Sequence, residues 1–262
     1  MPSSRKTRER QLAKLAARRT AGRRRKHRQR LLAGFVGIAV AAGGLGFGVY
    51  ALIGGTDGAP TATPTPPPDA ALGVACGGSV PDAAAEEKPQ FDEPPELTID
   101  RNKTYNVRMR TSCGTIRIRL LPKVAPLAVN SFIFLAQGGF YDGLTFHRIV
   151  AGFVIQGGDP EGTESGGPGY EFEDELDNDL EYEVGTLAMA NSGPNTNGSQ
   201  FFIVSGDEAA SLPKSYTIFG TVTRGLDVVQ AINALPTVGS GGADAQQPAQ
   251  KVYIEKIVIV ES

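Results

Sequence analysis

The C-terminal part of this 262-residue sequence predicts a mainly β fold, a closed barrel capped by two α-helices. From Tyr105 onward, short apolar segments alternate with the period of two that is typical of half-buried strands. Clusters of Gly, Asn, Asp and Pro separate these segments, and only two segments have the features of helices. Many short strands with two helices favour a barrel that the helices cover. About 155 residues are enough to give such a barrel its own core.

The first 30 residues form a strongly basic arm. They hold 13 of the 26 Lys and Arg residues and one of the 28 acidic residues, so an arm of charge +12 precedes a remainder of charge −14. Such asymmetry points to a membrane surface or a nucleic acid at one end of the chain. No aromatic residue is interleaved with these charges, so nucleic-acid binding is not expected. A solvated cytoplasmic arm and attraction to anionic lipid both remain open.

Residues 31–53 (LLAGFVGIAVAAGGLGFGVYALI) carry no charged side chain. A helix of this length spans roughly 34 Å, enough for a hydrocarbon core of about 30 Å. A cleaved signal peptide is the main alternative, but its apolar run is normally about 7–15 residues and a clear cleavage site follows it. The segment is therefore predicted to be a single transmembrane helix. Because positive residues stay on the cytoplasmic side, the arm would be cytoplasmic and the rest of the chain would lie outside the cytoplasmic membrane.

Residues 54–100 are predicted to be a linker. They are rich in Pro, Gly and Ala, with acidic residues between, and such a composition buries too little apolar surface to offset the entropy of ordering the chain. The linker should be extended and mobile, and it should hold the domain formed by residues 101–262 away from the membrane.

The chain has two cysteines and two histidines. Cys76 and Cys113 are too few for a four-ligand zinc site, and His27 and His147 lie in unrelated contexts, so neither a metal nor another cofactor is expected. An oxidising compartment permits a disulfide, which would join the linker to the barrel. The alternative is that Cys113 is simply buried.

The predicted elements begin with a hairpin. The segments YNVRMR and TIRIRLL alternate strictly on either side of the turn formed by residues 112–114. A helix follows at residues 126–136, with Pro at its start and two glycines after its end. Further strands are predicted near Leu187, Gln200 and Ile218. A second helix at about 225–235 and a last strand at 252–260 complete the domain.

The segment FHRIVAGFVIQGGD, residues 146–159, predicts a site. Alternation along its first half places Phe146, Arg148 and Val150 on one face and His147 on the other. A second apolar run follows and ends at Gln156. A surface arginine needs no such apolar surroundings, whereas an arginine that meets an apolar substrate away from water does.

Together with MANSGPNTNGSQFFI, residues 189–203, this segment resembles the cyclophilin family of peptidyl-prolyl cis-trans isomerases. The resemblance covers roughly residues 105–260. It implies an eight-stranded antiparallel barrel with a helix over each end, and isomerisation of X–Pro bonds without a cofactor. A cyclophilin-like domain that binds proline-containing segments without turnover is the alternative. The presence of the arginine favours the enzyme, because a pure binding module does not need that donor.

The resemblance also implies a role for each matching residue. Arg148 would be the catalytic donor, which Gln156 would orient, while Gln200 would line the groove and Ala190 and Asn191 would meet the substrate backbone. The substrate proline would sit on four apolar residues, namely Phe153, Val154, Phe202 and Leu212. Strand alternation assigns three further residues to the core rather than the site, namely Phe146, Phe201 and Ile203. We expect His147 to be a packed, hydrogen-bonded residue rather than an acid or base, and residues 195–198 to be a structural turn.

Two departures from the family pattern matter. Val154 stands where many cyclophilins carry Met. The segment AASLPKSYTIFG has Ser211, Leu212 and Tyr216 where the best-known members carry Trp, Leu and, shortly after, His; Tyr in the last place is similar to bacterial members. Isomerase activity should survive, whereas binding of cyclosporin-type macrocycles should be weak without the indole. The expected partners are therefore proline-containing polypeptides outside the cytoplasm, whose folding the domain would assist, and the membrane through residues 31–53.

Overall fold

The structure is a computed structural model that describes residues 73–238 and 246–262. It contains eight strands and, within these ranges, two α-helices. The strands are β1 (Tyr105–Thr111), β2 (Gly114–Leu120), β3 (Arg148–Val150), β4 (Val154–Gly157), β5 (Thr186–Met189), β6 (Phe201–Val204), β7 (Ile218–Arg224) and β8 (Ile254–Glu261). The helices are α1 (Pro126–Gln137) and α2 (Leu226–Asn233).

The strands form one antiparallel sheet in the order β3-β4-β6-β5-β7-β2-β1-β8. Residues just before the two edge strands join the ends of the sheet. The N–H of Phe146 donates to the carbonyl of Val252 at 2.9 Å, and that of Ile254 donates to the carbonyl of Leu144 at 2.7 Å. These bonds curl the sheet into a barrel that leaves few unpaired strand edges. The predicted mainly β fold of eight strands and two helices is confirmed.

The core lies inside the barrel and beneath the helices. Four aromatic side chains form its centre, where Phe132 of α1 contacts Tyr141, Phe201 and Phe219 at ring-centroid distances of 5.0, 5.8 and 5.4 Å. Each of these rings is at most 1% exposed. The alternating positions of β1 and β2 point into the same core, as the hairpin pattern predicted.

Helix α1 is capped by a residue far away in the sequence. Its N-terminus has Pro126 at the first position but no side-chain cap of its own. The two carboxylate oxygens of Glu175 accept from the N–H groups of Leu127 and Ala128, each at 3.0 Å. A helix N-terminus has unpaired donors and a partial positive charge, so this carboxylate stabilises it on both counts.

Residues 73–100, which we call the strap, correct the prediction of a mobile linker. Within this range the chain lies against the barrel. Ala75 is fully buried, and Phe91 contacts the ring of Phe134 on α1 at 4.9 Å. The side chain of Asn130 on α1 bonds to the backbone of Thr98 and Glu96, at 3.0 and 2.9 Å. A few well-placed apolar side chains and long-range hydrogen bonds order a segment whose average composition does not predict order.

A disulfide joins the strap to the barrel. Cys76 and Cys113 are bonded, with Cα atoms 5.1 Å apart, and Cys113 lies in the turn between β1 and β2. Next to it, Val74 pairs with Lys251 in an isolated parallel bridge. The strap is therefore attached near its beginning by one covalent bond and by backbone pairing.

The basic arm at 1–30, the predicted transmembrane helix at 31–53 and the linker up to residue 72 lie outside the described residues. Within 73–238 and 246–262, no helix is both long and apolar enough to cross a membrane.

Candidate active site

Both faces of strands β4, β5 and β6 are largely buried. A barrel strand normally has one face that is exposed to solvent. One set of alternating residues belongs to the core. The other set forms a second, separate group of buried side chains, which we call the outer cluster. Its members are Val154, Tyr182, Ala188, Phe202, Val204, Ala209 and Ile218.

Half-buried apolar residues surround this cluster. Phe153, Ala190, Leu212 and Tyr216 all pack against it, and Tyr216 meets Phe202 edge to face at a ring-centroid distance of 5.5 Å. Six of the predicted substrate-binding residues therefore lie together, although they come from four separate parts of the chain. The result is a partly open apolar surface on the outside of the barrel.

Arg148 borders this surface. It pairs with Gln156 across β3 and β4, and Gln156 in turn pairs with Phe202 on β6. The Arg148 side chain is 24% exposed, so its guanidinium is partly shielded from solvent. Its Nη1 donates to Oε1 of Gln156 at 3.1 Å. The predicted role of Gln156 in orienting the arginine matches this contact.

Two residues that the sequence did not predict also hold Arg148. Its Nε donates to Oε1 of Gln246 at 2.5 Å and lies 3.9 Å from Oε1 of Glu164. These contacts use Nε and one side of the guanidinium. Among the described residues, Nη2 has no hydrogen-bond partner, so two N–H donors of this group remain for a ligand.

Gln200 extends the hydrogen-bonded chain that begins at Arg148. The amide of Gln156 donates to Oε1 of Gln200 at 3.0 Å, and the amide of Gln200 donates to the carbonyl of Gly166 at 2.9 Å. Each amide therefore has one defined orientation. Gln200 borders the site, as predicted, and links it to the Gly-rich loop after β4.

Ala190 and Asn191 lie at the opposite border, where their polar groups already have partners. The N–H of Ala190 donates to the carbonyl of Gln200 at 3.0 Å. The amide of Asn191 donates to the carbonyl of Ser215 at 2.9 Å, which ties two loops together. The side chain of Asn191 thus shapes the border, and its predicted contact with a substrate backbone stays a prediction.

Tyr182 is a site residue that sequence reasoning missed. Its hydroxyl donates to the carbonyl of Tyr216 at 2.9 Å and accepts from the N–H of the same residue at 3.0 Å. Its ring also packs against Phe202. Burial raises the pKa of Tyr182, so it stays neutral and keeps both bonds at physiological pH. The only sequence signal was an aromatic residue within an acidic stretch.

Two predictions about the segment before β4 need correction. Phe146 lies in the barrel core with Ile149 and not on the Arg148 face, because β3 begins at Arg148 and the alternation does not extend back to Phe146. His147 is packed, as expected, but neither ring nitrogen has a hydrogen-bond partner among the described residues. Phe146, Phe201 and Ile203 are all core residues, as predicted, so only the shared face of Phe146 and Arg148 was wrong.

Burial lowers the pKa of His147. The carboxylate of Asp159 acts in the opposite sense, and the Arg148 guanidinium lowers the pKa further. His147 is therefore neutral at physiological pH, and it is buried. This environment does not suit a general acid or base.

Ser211 ends a short 3-10 turn beside Leu212 and is exposed, and its hydroxyl donates to the carbonyl of Glu208 at 2.8 Å. No aromatic side chain stands at this position. Weak binding of cyclosporin-type macrocycles stays a prediction.

A guanidinium whose Nη2 has no partner among the described residues, beside a partly open apolar surface on the outside of an antiparallel barrel, fits a site of the prolyl-isomerase class. The chain belongs to the family described as cyclophilin type peptidyl-prolyl cis-trans isomerase, whose match covers residues 106–259. It is accordingly a peptidyl-prolyl cis-trans isomerase of cyclophilin type.

Curated relatives agree with this assignment. The chain is 42% identical to a probable peptidyl-prolyl cis-trans isomerase A of Mycobacterium leprae, over 58% of this chain and 90% of the relative. It is 43% identical to peptidyl-prolyl cis-trans isomerase B of Streptomyces anulatus, over 58% and 94%. A probable peptidyl-prolyl cis-trans isomerase B of Mycobacterium tuberculosis is 37% identical over 76% of this chain and 69% of that protein.

Solved structures show the same fold. A cyclophilin type peptidyl-prolyl cis-trans isomerase of Cryptosporidium parvum is 35% identical, with a TM-score of 0.54 over 61% of this chain and 99% of that one. A second structure of that enzyme, in the presence of the dipeptide Ala-Pro, is 36% identical with a TM-score of 0.53 over 60% and 99%.

Proposed function

We propose that this isomerase acts on X–Pro bonds of proteins outside the cytoplasmic membrane, where it assists their folding, and that Arg148 is its catalytic donor. The observation that carries the catalytic assignment is the guanidinium with free Nη2 donors beside the outer cluster. The Ala-Pro dipeptide in the Cryptosporidium structure supports a proline-containing substrate for this chain.

The chemistry of the bond explains why a donor is sufficient. An X–Pro amide rotates slowly because the nitrogen shares its lone pair with the carbonyl, which gives a barrier of about 18–20 kcal/mol. At the twisted transition state the lone pair returns to the nitrogen, which then accepts a hydrogen bond. A donor fixed at this nitrogen binds the transition state better than either planar isomer, and such differential binding lowers the barrier.

The surroundings of Arg148 suit this task. The outer cluster supplies an apolar surface for the proline ring, with Phe202 and Val154 as its central buried members. Partial shielding from water strengthens a charge-assisted hydrogen bond. Arg148 keeps its charge at every physiological pH, so the donor is always present.

Replacing Arg148 tests the assignment. Arg148→Ala should lower kcat/KM about 30- to 1000-fold for a short X–Pro peptide, because about 2–4 kcal/mol of transition-state stabilisation is lost. Peptide affinity should change far less. Arg148→Lys should recover little, because a point charge on a flexible stem does not reproduce the guanidinium.

Arg101→Ala, at an exposed position before β1, is the matched control and should leave turnover unchanged. Near-normal turnover in Arg148→Ala would refute the role of the donor. The alternative function, binding of proline-containing segments without turnover, would be favoured if the wild-type domain bound the peptide but did not speed its isomerisation.

Two features support a position outside the cytoplasm. The charge-free segment 31–53 follows a basic arm, and Cys76 is disulfide-bonded to Cys113. Disulfides persist chiefly in oxidising compartments. External protease applied to intact cells or spheroplasts should release a fragment close in size to residues 55–262. Release of the whole protein by a salt wash would overturn the anchored arrangement.

A further inference from the structure

Basic residues cluster on one outer face of the barrel, centred on the hairpin of β1 and β2. This basic face consists of Arg108, Arg110, Arg117, Arg119, Arg224 and Lys256, all exposed. They are six of the 13 Lys and Arg residues that follow residue 30, and all six lie on four strands of the sheet, β1, β2, β7 and β8. The cations of the domain are therefore concentrated on one surface.

The strand register places like charges side by side. Arg108 on β1 is directly opposite Arg117 on β2, and Arg117 is directly opposite Arg224 on β7. Arg110 is opposite Lys256 on β8. Residues that face each other in this way have Cβ atoms about 4.5–5.5 Å apart, and like charges there destabilise the sheet.

Few carboxylates offset these charges. Glu255 lies 3.5 Å from Arg110, and Asp142 bonds to Lys256 at 2.6 Å. Within residues 73–238 and 246–262, no carboxylate lies within ion-pair distance of Arg108, Arg117, Arg119 or Arg224. Four neighbouring guanidinium groups are thus available to an anionic partner.

Apolar side chains border the same surface. Val258 is directly opposite Arg108, and Val260, which is 52% exposed, is directly opposite Asn106 in the adjacent row. A regular sheet surface that combines arginines with the half-buried Val258 and the exposed Val260 fits the interface of a bilayer, where phosphate groups meet hydrocarbon. Polyanions such as nucleic acids offer no comparable partner for the valines.

We infer that the basic face is a docking surface for anionic phospholipid headgroups. Guanidinium groups bind phosphate oxygens in a paired geometry. The sheet order separates this face from the active site, because β1 lies four strands from β6 around the barrel. Strand β7 contributes only Arg224, at its C-terminal end, to the basic face, whereas Ile218 at its other end belongs to the outer cluster. A domain that rests on the membrane mainly through β1 and β2 therefore keeps the outer cluster open to substrates.

The overall charge makes the binding orientation-specific. The chain after residue 30 carries 27 acidic and 13 basic residues, a net charge of −14, so an anionic membrane repels it as a whole. Eight of the 13 residues in 171–183, near the active site, are Asp or Glu. The basic face can therefore approach an anionic bilayer favourably, whereas the acidic segment cannot.

The test uses residues 64–262, which lack the predicted membrane anchor. The matched region makes up 90% and 94% of two of the curated relatives, so a fragment that contains it should fold alone. Its binding is measured by co-sedimentation with vesicles of phosphatidylcholine alone and with vesicles of equal parts phosphatidylglycerol and phosphatidylcholine.

We expect binding to the phosphatidylglycerol vesicles alone, and weakening of this binding as salt is raised. The triple variant Arg108→Gln, Arg117→Gln, Arg224→Gln should lower the partition coefficient about a hundredfold. A control that removes three charges elsewhere (Arg101→Gln, Lys123→Gln and Lys251→Gln) should lower it no more than about threefold. Both variants should isomerise a short peptide at the wild-type rate.

Three results would overturn the inference. The first is equal binding to both kinds of vesicle, and the second is equal weakening by the two triple variants. The third is a different partner: tighter binding to single-stranded RNA than to the anionic vesicles, or a dimer in sedimentation velocity that the Arg108, Arg117 and Arg224 substitutions dissociate. Loss of isomerase activity on its own would bear on the proposed function and not on this surface.

Discussion

At the scale of single residues, Arg148, the proposed catalytic donor, is held from two directions. Gln156 binds it from the neighbouring strand, and Gln246 binds it from a segment 98 residues away in the sequence. The second contact fixes Nε and so limits how the guanidinium can rotate. If Arg148 is the donor, we expect Gln246 to act as a positioning residue for it.

Replacing Gln246 should reduce turnover more than affinity. We expect Gln246→Ala to lower kcat about three- to tenfold with little change in KM, because a hydrogen bond of about 1 kcal/mol that orients the donor is lost. Gln247→Ala, its exposed neighbour, is the control and should behave as wild type. An unchanged kcat for Gln246→Ala would show that Gln156 alone positions the arginine.

His147 should make the stability of the domain depend on pH. Its pKa in the folded state is lowered below the usual 6.5, so the unfolded chain takes up a proton first as the pH falls. Stability is therefore complete above about pH 6.5 and declines as the pH falls toward the folded-state pKa.

His147→Gln should remove this component of the decline. The measurement is the denaturant midpoint of residues 64–262 at about pH 7.5 and about pH 5. His147 is the single histidine of this fragment. Turnover of the variant at pH 7.5 should stay within a few-fold of wild type, because the residue transfers no proton. An equal loss of stability in both proteins between these pH values would contradict the prediction.

At the scale of elements, sequence patterns predicted what local periodicity controls. The strict alternation in β1 and β2 reflects one side chain inside and the next outside, so those strands and their core residues were predicted. Residues 126–137 formed a helix because Pro and two glycines mark its ends. The pattern failed at Phe146, where the strand had not yet begun.

Long-range contacts were not predictable from these patterns. The order of the strap depends on Phe91 meeting Phe134 and on Asn130 bonding to Thr98, and neither pairing leaves a local signal. One trace exists at Gly143, where a Cβ atom would lie 2.4 Å from the backbone of the strap. Gln246 was missed for the same reason, because nothing near it in the sequence indicates that it reaches Arg148.

The distant cap of α1 gives a testable contribution at this scale. Glu175→Ala removes the acceptor of two helix N–H groups and a charge that favours the helix N-terminus, so the free energy of unfolding should fall by about 1–2 kcal/mol. Glu181→Ala, in the same acidic stretch but exposed, should change it by less than about 0.5 kcal/mol. Denaturant unfolding of both variants decides whether the contact or the general acidity matters.

At the scale of the whole molecule, the disulfide should contribute strongly to stability. It closes a loop with a sequence separation of 37 residues. Restricting the unfolded chain by such a loop is worth about 4 kcal/mol in the chain-entropy description. The double variant Cys76→Ser, Cys113→Ser should therefore unfold at a clearly lower denaturant concentration.

Wild-type protein kept reduced by dithiothreitol is the control and should match the double variant. Isomerase activity should survive in both, because the turn between β1 and β2 contributes no residue to the outer cluster or to the contacts of Arg148 among the described residues. If the oxidised wild type and the variant unfolded at the same midpoint, the bond would not restrict the unfolded chain as described.

The same bond determines how the domain would carry a mechanical load. If the domain is pulled through a membrane tether, tension that enters at Gly73 reaches Cys76 after three residues and passes directly to Cys113. Residues 77–112, including most of the strap and all of β1, then lie outside the path of the force. Opening the bond would release roughly 120–130 Å of additional chain. An oxidising environment keeps this disulfide closed. The strap and β1 would thus stay in place when a bound substrate pulls on the domain.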